Sequence, residues 1–245
     1  IPKNRTGLSI GNYVVVQPLE KQKPVEKLYF YGVKEIEPLK LEIIYEVIKI
    51  IDKLLDSYEN LFVIGSFLDK GFHFNDIDIL IVAEDKINSS LIEPSIERKV
   101  GVKAHILTLN NKELSKGLET DPLYQMMLSR CIANKRFIYK TEQTMNYKLL
   151  DLHLFKSRAL TNNFDILSGS EKYDLVRNMI AIYLYLKNKK ISNKLVDEEI
   201  KKGFEIDVQK IKQNIIDKKK FLKKYKLIYN KTFVKILRGI EHGTE

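Results

Sequence analysis

Two apolar runs in the first half of the chain each adjoin a short polar motif, and this pairing constrains the fold more than any other feature of the sequence. The first run ends in Gly65 and Ser66, and the second, within 76–82, opens with Asp76 and Asp78. Apolar runs of this length are typical of buried strands. Because side chains two residues apart on a strand leave the same face, we expect the two carboxylates to lie side by side.

Together the two motifs predict a site for a metal-bound phosphate. Two carboxylates on one face repel each other, and a nearby cation stabilises such a pair. Oxygen ligands of this kind suit Mg²⁺, or Mn²⁺ in its place. Glycine lets a backbone approach a phosphate closely, and a serine adds a hydroxyl and an N–H group. We therefore expect Asp76 and Asp78 to bind the metal, and Gly65 and Ser66 to bind a triphosphate.

These residues resemble the signature of the DNA polymerase β-like nucleotidyltransferase superfamily, in which a strand, a Gly-Ser turn and a strand with Asp-x-Asp follow one another. The resemblance is nearest to the small stand-alone nucleotidyltransferase domains and extends more weakly over 40–141. It implies a two-metal reaction in which a hydroxyl attacks the α-phosphate of an NTP and releases pyrophosphate. Carried onto this chain, Asp76 and Asp78 are catalytic metal ligands. Lys70 lies in the loop between the two motifs, where it is interpreted either as a phosphate contact or as a solvated lysine.

The third carboxylate that the resemblance implies on the next core strand is missing. The strand expected at 102–109 holds no acid, and alternation places His105 on one face with Lys103 and Leu107. One interpretation makes His105 a catalytic base or metal ligand, and another makes it a core histidine bonded to an aspartate. A third has the site bind a metal–nucleotide without catalysis. In a fourth, an acid from elsewhere completes the site, the candidates being Glu84, Asp85 and Glu97.

Composition narrows the class of protein. The 42 Lys and Arg against 32 Asp and Glu give a net charge of +10, which favours an anionic partner such as a nucleotide or nucleic acid. One cysteine excludes an intrachain disulfide framework and, with four histidines, a cysteine-rich zinc site. No apolar run approaches the ~18 residues of a membrane span. We expect a cytoplasmic protein without a membrane partner and, since the sequence starts at Ile1 rather than Met, further residues upstream.

Hydrophobic periodicity predicts an α/β core followed by an all-α region. Helices are expected at 39–57, 87–98 with a break near Pro94, 145–165, 170–188, 193–203 and 206–240. Strands are expected at 13–16, 28–31, 61–64, 76–82, 102–109 and 136–139. Cys131 is interpreted as a core thiol in a helical context.

The pattern divides the chain into an N-terminal appendage, 1–37, a nucleotidyltransferase-like domain, 38–141, and a basic helical domain, 142–245. The middle domain is expected to hold a small mixed sheet with flanking helices. Within 201–231 eleven lysines stand against three acids, a net charge of +8. This stretch is either a solvated helix surface or a surface that contacts phosphates, and the second interpretation favours RNA as a partner.

The sequence thus predicts a protein that transfers a nucleoside monophosphate from an NTP to an acceptor by Mg²⁺-dependent chemistry. RNA is the favoured acceptor, with a protein side chain or a small molecule as the alternatives. The competing hypothesis is a catalytically weak or inactive protein of the same fold. It would bind nucleotide or nucleic acid as a regulator or as the antitoxin-like partner of another protein.

Overall fold

The computed structural model describes residues 27–72, 74–139 and 142–242. Within these residues a mixed five-stranded sheet has the order β1-β5-β2-β3-β4. Its strands are β1 (Tyr29–Tyr31), β2 (Asn60–Ile64), β3 (Asp76–Val82), β4 (Lys103–Leu109) and β5 (Cys131–Ala133). Strands β3 and β4 run parallel, whereas the other neighbouring pairs are antiparallel. The predicted small mixed sheet is confirmed.

Four helices flank the sheet: α1 (Pro38–Leu54), α2 (Ser89–Val100), α3 (Asn111–Thr120) and α4 (Pro122–Leu128). Because side chains alternate along β3, successive residues pack against helices on opposite faces of the sheet. Ile79 belongs to the core beneath α1 and α2, and Leu80 belongs to the core with α3 and α4. Asp76 and Asp78 share the face of Leu80, at the beginning of β3.

A helical region follows, as the periodicity predicts. Its helices are α5 (Tyr147–Ser157), α6 (Ala159–Asn162), α7 (Gly169–Tyr185), α8 (Asn193–Phe204), α9 (Val208–Lys212) and α10 (Lys218–His242). Helix α7 lies at the centre, because its apolar stripe, which includes Val176 and Ile180, is fully buried among the neighbouring helices. Ser168 begins this helix with a capping box completed by Glu171.

The helical region packs directly on α3 and α4. Met126 of α4 belongs to the helical core, and the Tyr185 hydroxyl donates to the Glu119 carbonyl oxygen at 2.5 Å. His153 Nε2 lies 2.9 Å from Asp121 Oδ2 across the same contact. Buried and partly buried contacts therefore join α3 and α4 to the helical region, while the domain boundary at 141 stays a prediction.

The predicted break at Pro94 is wrong, because α2 continues through it. Proline removes one backbone hydrogen bond, here the bond to the Ser90 carbonyl, and Ser90 is exposed to water. Ile92 and Ile96 are buried on either side of Pro94 and fix the helix against the sheet. Packing of these side chains thus outweighs the cost of the proline.

The strand predicted at 136–139 is also wrong. The final strand is instead β5, which lies between β1 and β2 and contains Cys131, a residue we interpreted as helical. Three residues are too few to show a periodic pattern, so only tertiary pairing identifies this strand. Phe137 still packs against the sheet, with its ring 4.9 Å from that of Phe62.

Two predicted helices are each divided. The segment 206–240 forms α9 and α10, because Asn214 adopts a φ of 61° and Asp217 caps the start of α10 through the Lys220 N–H group. The segment 145–165 forms α5 and α6. The strand predicted at 13–16 lies outside the described residues. No helix in the described ranges combines the length and the apolar character needed to cross a bilayer.

Candidate functional site

The bend after β2 brings Gly65 against the Asp78 carboxylate. In the antiparallel register, Asp78 lies opposite Ile64, the last residue of β2. Gly65 follows with a φ of 78°, a left-handed conformation that glycine adopts without strain. A Cβ atom at this position would overlap Asp78 Oδ2. Position 65 therefore requires glycine both for its backbone and for space.

The two aspartates concentrate negative charge beside this bend. Burial, followed by the neighbouring Asp76 charge, raises the pKa of Asp78 above its ordinary value. His105 and Arg177 act in the opposite direction without reversing this shift. The Asp78 side chain remains 35% exposed, so a ligand from solvent can reach it. The folded protein therefore disfavours the ionised form of Asp78, a condition that a bound cation relieves.

His105 lies beside Asp78 on the neighbouring strand. Strand β4 places it opposite Asp78, and its Nδ1 lies 3.5 Å from Asp78 Oδ1. The His105 side chain is 72% exposed, so the interpretation as a core histidine is wrong, although the pairing with an aspartate is present. Lys103 and Leu107 are exposed on the same face of this strand.

The three acids considered as substitutes for a third carboxylate do not lie beside the aspartate pair. Glu84 and Asp85 follow the opposite end of β3, about 20 Å from Asp78 at the usual rise per strand residue. Glu97 lies on α2, which covers the other face of the sheet. In the part of the chain that the structure describes, no three His, Cys, Asp or Glu residues form a group able to hold a metal ion. None of these three acids is placed to complete the site.

Ser66 adjoins the bend, whereas Lys70 lines a cleft. Ser66 opens a short 3₁₀ turn (Ser66–Leu68) directly after Gly65 and is exposed. Lys70 is also exposed, but it lines a cleft with Glu37 and Arg130 that includes neither aspartate of the pair. The structure thus places Ser66 beside the bend and Lys70 in a separate cleft.

Three cationic side chains hold the loop 65–71, which begins at the bend. Arg130 donates to the Asp69 carboxylate and to the Leu68 carbonyl oxygen. Lys212 of α9 donates to Asp69 Oδ2 at 3.2 Å. Burial alone would raise the pKa of Asp69, but the Arg130 hydrogen bond and the Lys212 charge lower it. The 65–71 loop is therefore fixed to the helical region by an ion-pair network.

Lys40 of α1 supplies the third cation. Its side chain is fully buried, and Nζ donates to the Asp69 carbonyl oxygen at 2.5 Å and lies 3.1 Å from Glu37 Oε2. Three aromatic rings of the loop region surround the ammonium at 5.4 to 5.6 Å: Phe67, Phe72 and Phe74. The Gly71 N–H group donates to Glu37 and, with Lys40, lowers the pKa of Glu37 to about 2. The loop thus wraps around a buried charge.

Helices α7, α8 and α9 contribute residues that the sequence did not indicate. The Tyr173 hydroxyl donates to Asp197 Oδ1 at 2.8 Å, and Lys212 Nζ lies 4.6 Å from the centre of the Tyr173 ring. Burial, followed by Asp197, raises the pKa of Tyr173. The guanidinium carbon of Arg177 lies 5.5 Å from the centre of the same ring. Apolar periodicity detects the buried stripe of α7 but not which polar side chains border it.

Cys131 does not join this site. Cys131 is fully buried, and burial raises the pKa of its thiol to about 12, so it is not a nucleophile at neutral pH. His73 lies outside the described residues.

Comparison with known proteins does not assign the protein to a family. No family model and no curated protein matches the sequence. Among solved structures, a chain from the tri-AMPylated Shewanella oneidensis HEPN toxin in complex with MNT antitoxin is 12% identical. The similarity covers 52% of this chain and 88% of that chain, with a TM-score of 0.27, which does not establish a shared fold.

Proposed function

We propose that the protein is a Mg²⁺-dependent nucleotidyltransferase whose active site is formed by Gly65, Ser66, Asp76, Asp78 and His105. The observation that carries the proposal is the contact between Gly65 and the Asp78 carboxylate, next to a second carboxylate on the same face. A glycine bend for phosphate and paired oxygen ligands for a cation are the two parts that a metal–triphosphate needs. The α/β core is compatible with the nucleotidyltransferase-like domain expected from the sequence.

Asp76 and Asp78 fit one Mg²⁺ ion. Magnesium commonly takes one or two protein carboxylates and completes its shell with water and phosphate oxygens. A second ion would require further negative charge, and β4 offers the imidazole of His105 in that position. When bound, the ion neutralises triphosphate charge and stabilises the pyrophosphate leaving group. The residues of the chain thus fit a one-metal site better than the two-metal site of the family.

Side chains and backbone groups of the protein carry out the remaining steps. The Gly65 bend, with the Ser66 hydroxyl and N–H groups, binds the β- and γ-phosphates. The network around Asp69 holds the loop in place, so its order does not have to be acquired on binding. His105 accepts the proton of the acceptor hydroxyl as its oxygen bonds to the α-phosphorus, and pyrophosphate leaves.

RNA is the favoured acceptor because the lysine-rich helices α8 to α10 offer cations for phosphates. Some of these lysines have other partners: Lys224 lies 2.8 Å from Glu205 Oε2, and Lys218 lies 2.6 Å from Asp165 Oδ2. Others are exposed, including Lys219, Lys223 and Lys226. A protein side chain and a small molecule are the alternative acceptors.

The proposal is tested by incubating the full chain with each α-labelled NTP, Mg²⁺ or Mn²⁺, and one acceptor class at a time. The acceptors are total RNA, a protein extract and a mixture of small hydroxyl compounds. We expect label on one acceptor and an equal amount of pyrophosphate, both abolished by EDTA. Absence of transfer to all three classes, together with absence of calorimetric binding of any Mg–NTP, would contradict the proposal.

A second function is favoured by one observation, the histidine in place of an acid beside Asp78. A site with fewer carboxylates can bind a metal–nucleotide and fail to activate the acceptor. The protein would then act as a nucleotide- or nucleic-acid-binding regulator, or as the antitoxin-like partner of another protein. Binding of Mg–NTP without pyrophosphate release would support this alternative.

The variant His105→Ala tests the role of the histidine in transfer. If His105 accepts the acceptor proton, we expect transfer to fall by about 100-fold, within the usual contribution of a general base. Calorimetric binding of Mg–NTP should stay within about twofold of the wild-type value, since a proton acceptor adds little to ground-state binding. The matched control is Lys103→Ala, an exposed position on the same strand and face. Unchanged transfer by His105→Ala would remove His105 from the mechanism.

A further inference from the structure

Helix α10 presents an exposed stripe of basic and apolar side chains. Positions 219, 223, 226, 230, 233 and 237 recur at steps of four and three residues, so they share one face of the helix along about 27 Å. All six positions are exposed. We call this face the α10 stripe, and its residues are Lys219, Lys223, Lys226, Asn230, Phe233 and Leu237.

The α10 stripe lies on the side of the helix that faces away from α8. Tyr225 is fully buried, and its hydroxyl donates to the Ser157 carbonyl oxygen at 2.6 Å, which defines the inner face of α10. Lys224, the residue before it, donates to the Phe204 carbonyl oxygen of α8 at 3.1 Å. Because successive residues of a helix turn by about 100°, Lys226 lies on the opposite side. The stripe is therefore accessible to a partner.

The lysines of the α10 stripe carry charge that the protein does not neutralise locally. On the side of α8, Lys224 Nζ lies 2.8 Å from Glu205 Oε2. The three lysines of the stripe, by contrast, form no ion pair with any residue that the structure describes. The sequence of α10 holds eight lysines and one arginine against one acid, Glu241. A basic surface of this kind is complementary to a polyanion.

The second half of the α10 stripe adds apolar surface next to the charge. Phe233 is 38% exposed, and Leu237, one turn further, is 40% exposed. Asn230, which lies between the lysines and these two residues, offers an amide that can donate and accept hydrogen bonds. Lysines bind phosphates, whereas an exposed aromatic ring stacks on a base of any kind. The stripe thus offers groups for both parts of a nucleotide.

These features favour a single strand of RNA over other occupants. A duplex presents phosphates but keeps its base faces stacked inside, so it has nothing to offer Phe233. A second copy of this chain would bring its own basic stripe or the other positive surface of α10, and like charges across an interface repel. A single strand presents phosphates and unstacked bases to the same surface.

We propose that the α10 stripe binds single-stranded RNA, with phosphates on Lys219, Lys223 and Lys226 and a base stacked on Phe233. This inference rests on the proposed function, in which RNA is the favoured acceptor, and extends it by assigning the surface and the strandedness of that RNA. The contacts are independent of base sequence, since they use phosphates and the face of a base.

The test measures the fluorescence anisotropy of a labelled oligouridine of about 12 nucleotides, titrated with the full chain at several salt concentrations. In the triple variant Lys219→Gln, Lys223→Gln, Lys226→Gln, we expect the slope of log affinity against log salt to become shallower by about 2. Each phosphate contact on a single strand contributes about 0.7 to that slope. The matched control replaces three exposed lysines outside the helical region by glutamine, Lys86, Lys112 and Lys116, and should keep the wild-type slope.

The stacking contact has a separate readout. We expect Phe233→Ala to weaken binding of the oligouridine by roughly 5- to 100-fold, the range of base stacking on an aromatic ring, with the salt slope unchanged. Phe233→Tyr keeps the ring and should keep the affinity. Val234→Ala is the matched control, because Val234 is 45% exposed next to Phe233 and outside the stripe.

The outcomes distinguish this inference from the proposed function. Equal salt slopes in the two triple variants, or equal affinity of Phe233→Ala and wild type, would overturn the assignment of the stripe. Equal binding of an RNA duplex of the same length would overturn the preference for single strands. If the wild type does not bind the oligouridine but transfers label to a protein or a small molecule, the inference fails and the proposed function stands. Dissociation of a dimer by Phe233→Ala, with RNA binding unchanged, would assign the stripe to a second copy instead.

Discussion

The double variant Asp76→Asn, Asp78→Asn is expected to lose nucleotidyl transfer by at least about 1,000-fold while its thermal unfolding midpoint stays equal to or above that of the wild type. The loss follows because both proposed metal ligands lose their charge, and the size reflects the electrostatic stabilisation that a metal supplies in phosphoryl transfer. Asparagine is nearly isosteric, so the register of β3 should not change. Transfer is measured with the labelled NTP assay, and unfolding by circular dichroism.

The expectation that the double variant is at least as stable as the wild type follows from the raised pKa of Asp78. A carboxyl whose pKa is higher in the folded than in the unfolded state binds more protons when folded. The free energy of unfolding therefore falls as the pH rises from the ordinary value of 3.8 through the raised value. Above that window the wild type carries the full penalty of burial and of repulsion from Asp76, and the double variant does not. The lost contact with His105 acts in the opposite direction.

A matched control lies at the other end of the same strand. Glu84→Gln with Asp85→Asn removes the same number of carboxylates from two exposed positions after β3. We expect this control to keep both transfer and the unfolding midpoint of the wild type. Transfer retained by the Asp76→Asn, Asp78→Asn variant would show that these carboxylates are not the catalytic ligands, and a clear fall in its midpoint would show that they have a structural role.

Local sequence patterns predicted the parts of the fold that a single segment determines. The apolar pattern of 76–82 predicted strand β3 and the shared face of Asp76 and Asp78, because the period of a strand is a local property. The strand Cys131–Ala133 could not be predicted in this way, since its three residues become a strand by pairing with β1 and β2. Short strands of this kind depend on tertiary contacts that no local pattern carries.

The candidate site likewise has one part that the local sequence predicts and another part that depends on tertiary packing. The two motifs carrying Gly65 and Asp78 are close in sequence, so their contact across β2 and β3 follows from a single hairpin-like pairing. Lys212 reaches the 65–71 loop from a distant helix, and its position depends on how the helical region packs on α4. Nothing in the apolar periodicity of the helical region distinguishes a lysine paired with a distant carboxylate from one in solvent.

Lys40 is a further residue whose role only the tertiary structure reveals, and its replacement is expected to have the largest effect on stability. We expect Lys40→Ala to lower the free energy of unfolding by about 4 kcal/mol, since it creates a cavity and removes a buried, hydrogen-bonded charge. The Asp69 carbonyl oxygen would lose its donor, and Glu37 would lose its ion pair. Urea unfolding followed by circular dichroism measures the change.

Lys40→Met separates the charge from the volume. Methionine fills a similar space and packs well against aromatic rings, so the cavity contribution largely disappears. We expect a loss of about 2 kcal/mol, which reflects the missing cation–π contacts and hydrogen bond. Lys49→Met on the same helix is the matched control, because Lys49 is 60% exposed and its ion pair with Glu46 lies at the surface. We expect its effect to be within about 0.5 kcal/mol.

The same variants connect stability to function through the 65–71 loop. If the Lys40 ammonium orders this loop, the affinity for magnesium tripolyphosphate should fall in Lys40→Met under conditions where the protein is fully folded. The loss arises because binding must then order a loop that the wild type holds in advance. A Lys40→Met variant as stable as Lys49→Met would contradict the structural role of the buried charge. Lower stability with unchanged affinity would show that Lys40 supports the fold and not the phosphate site.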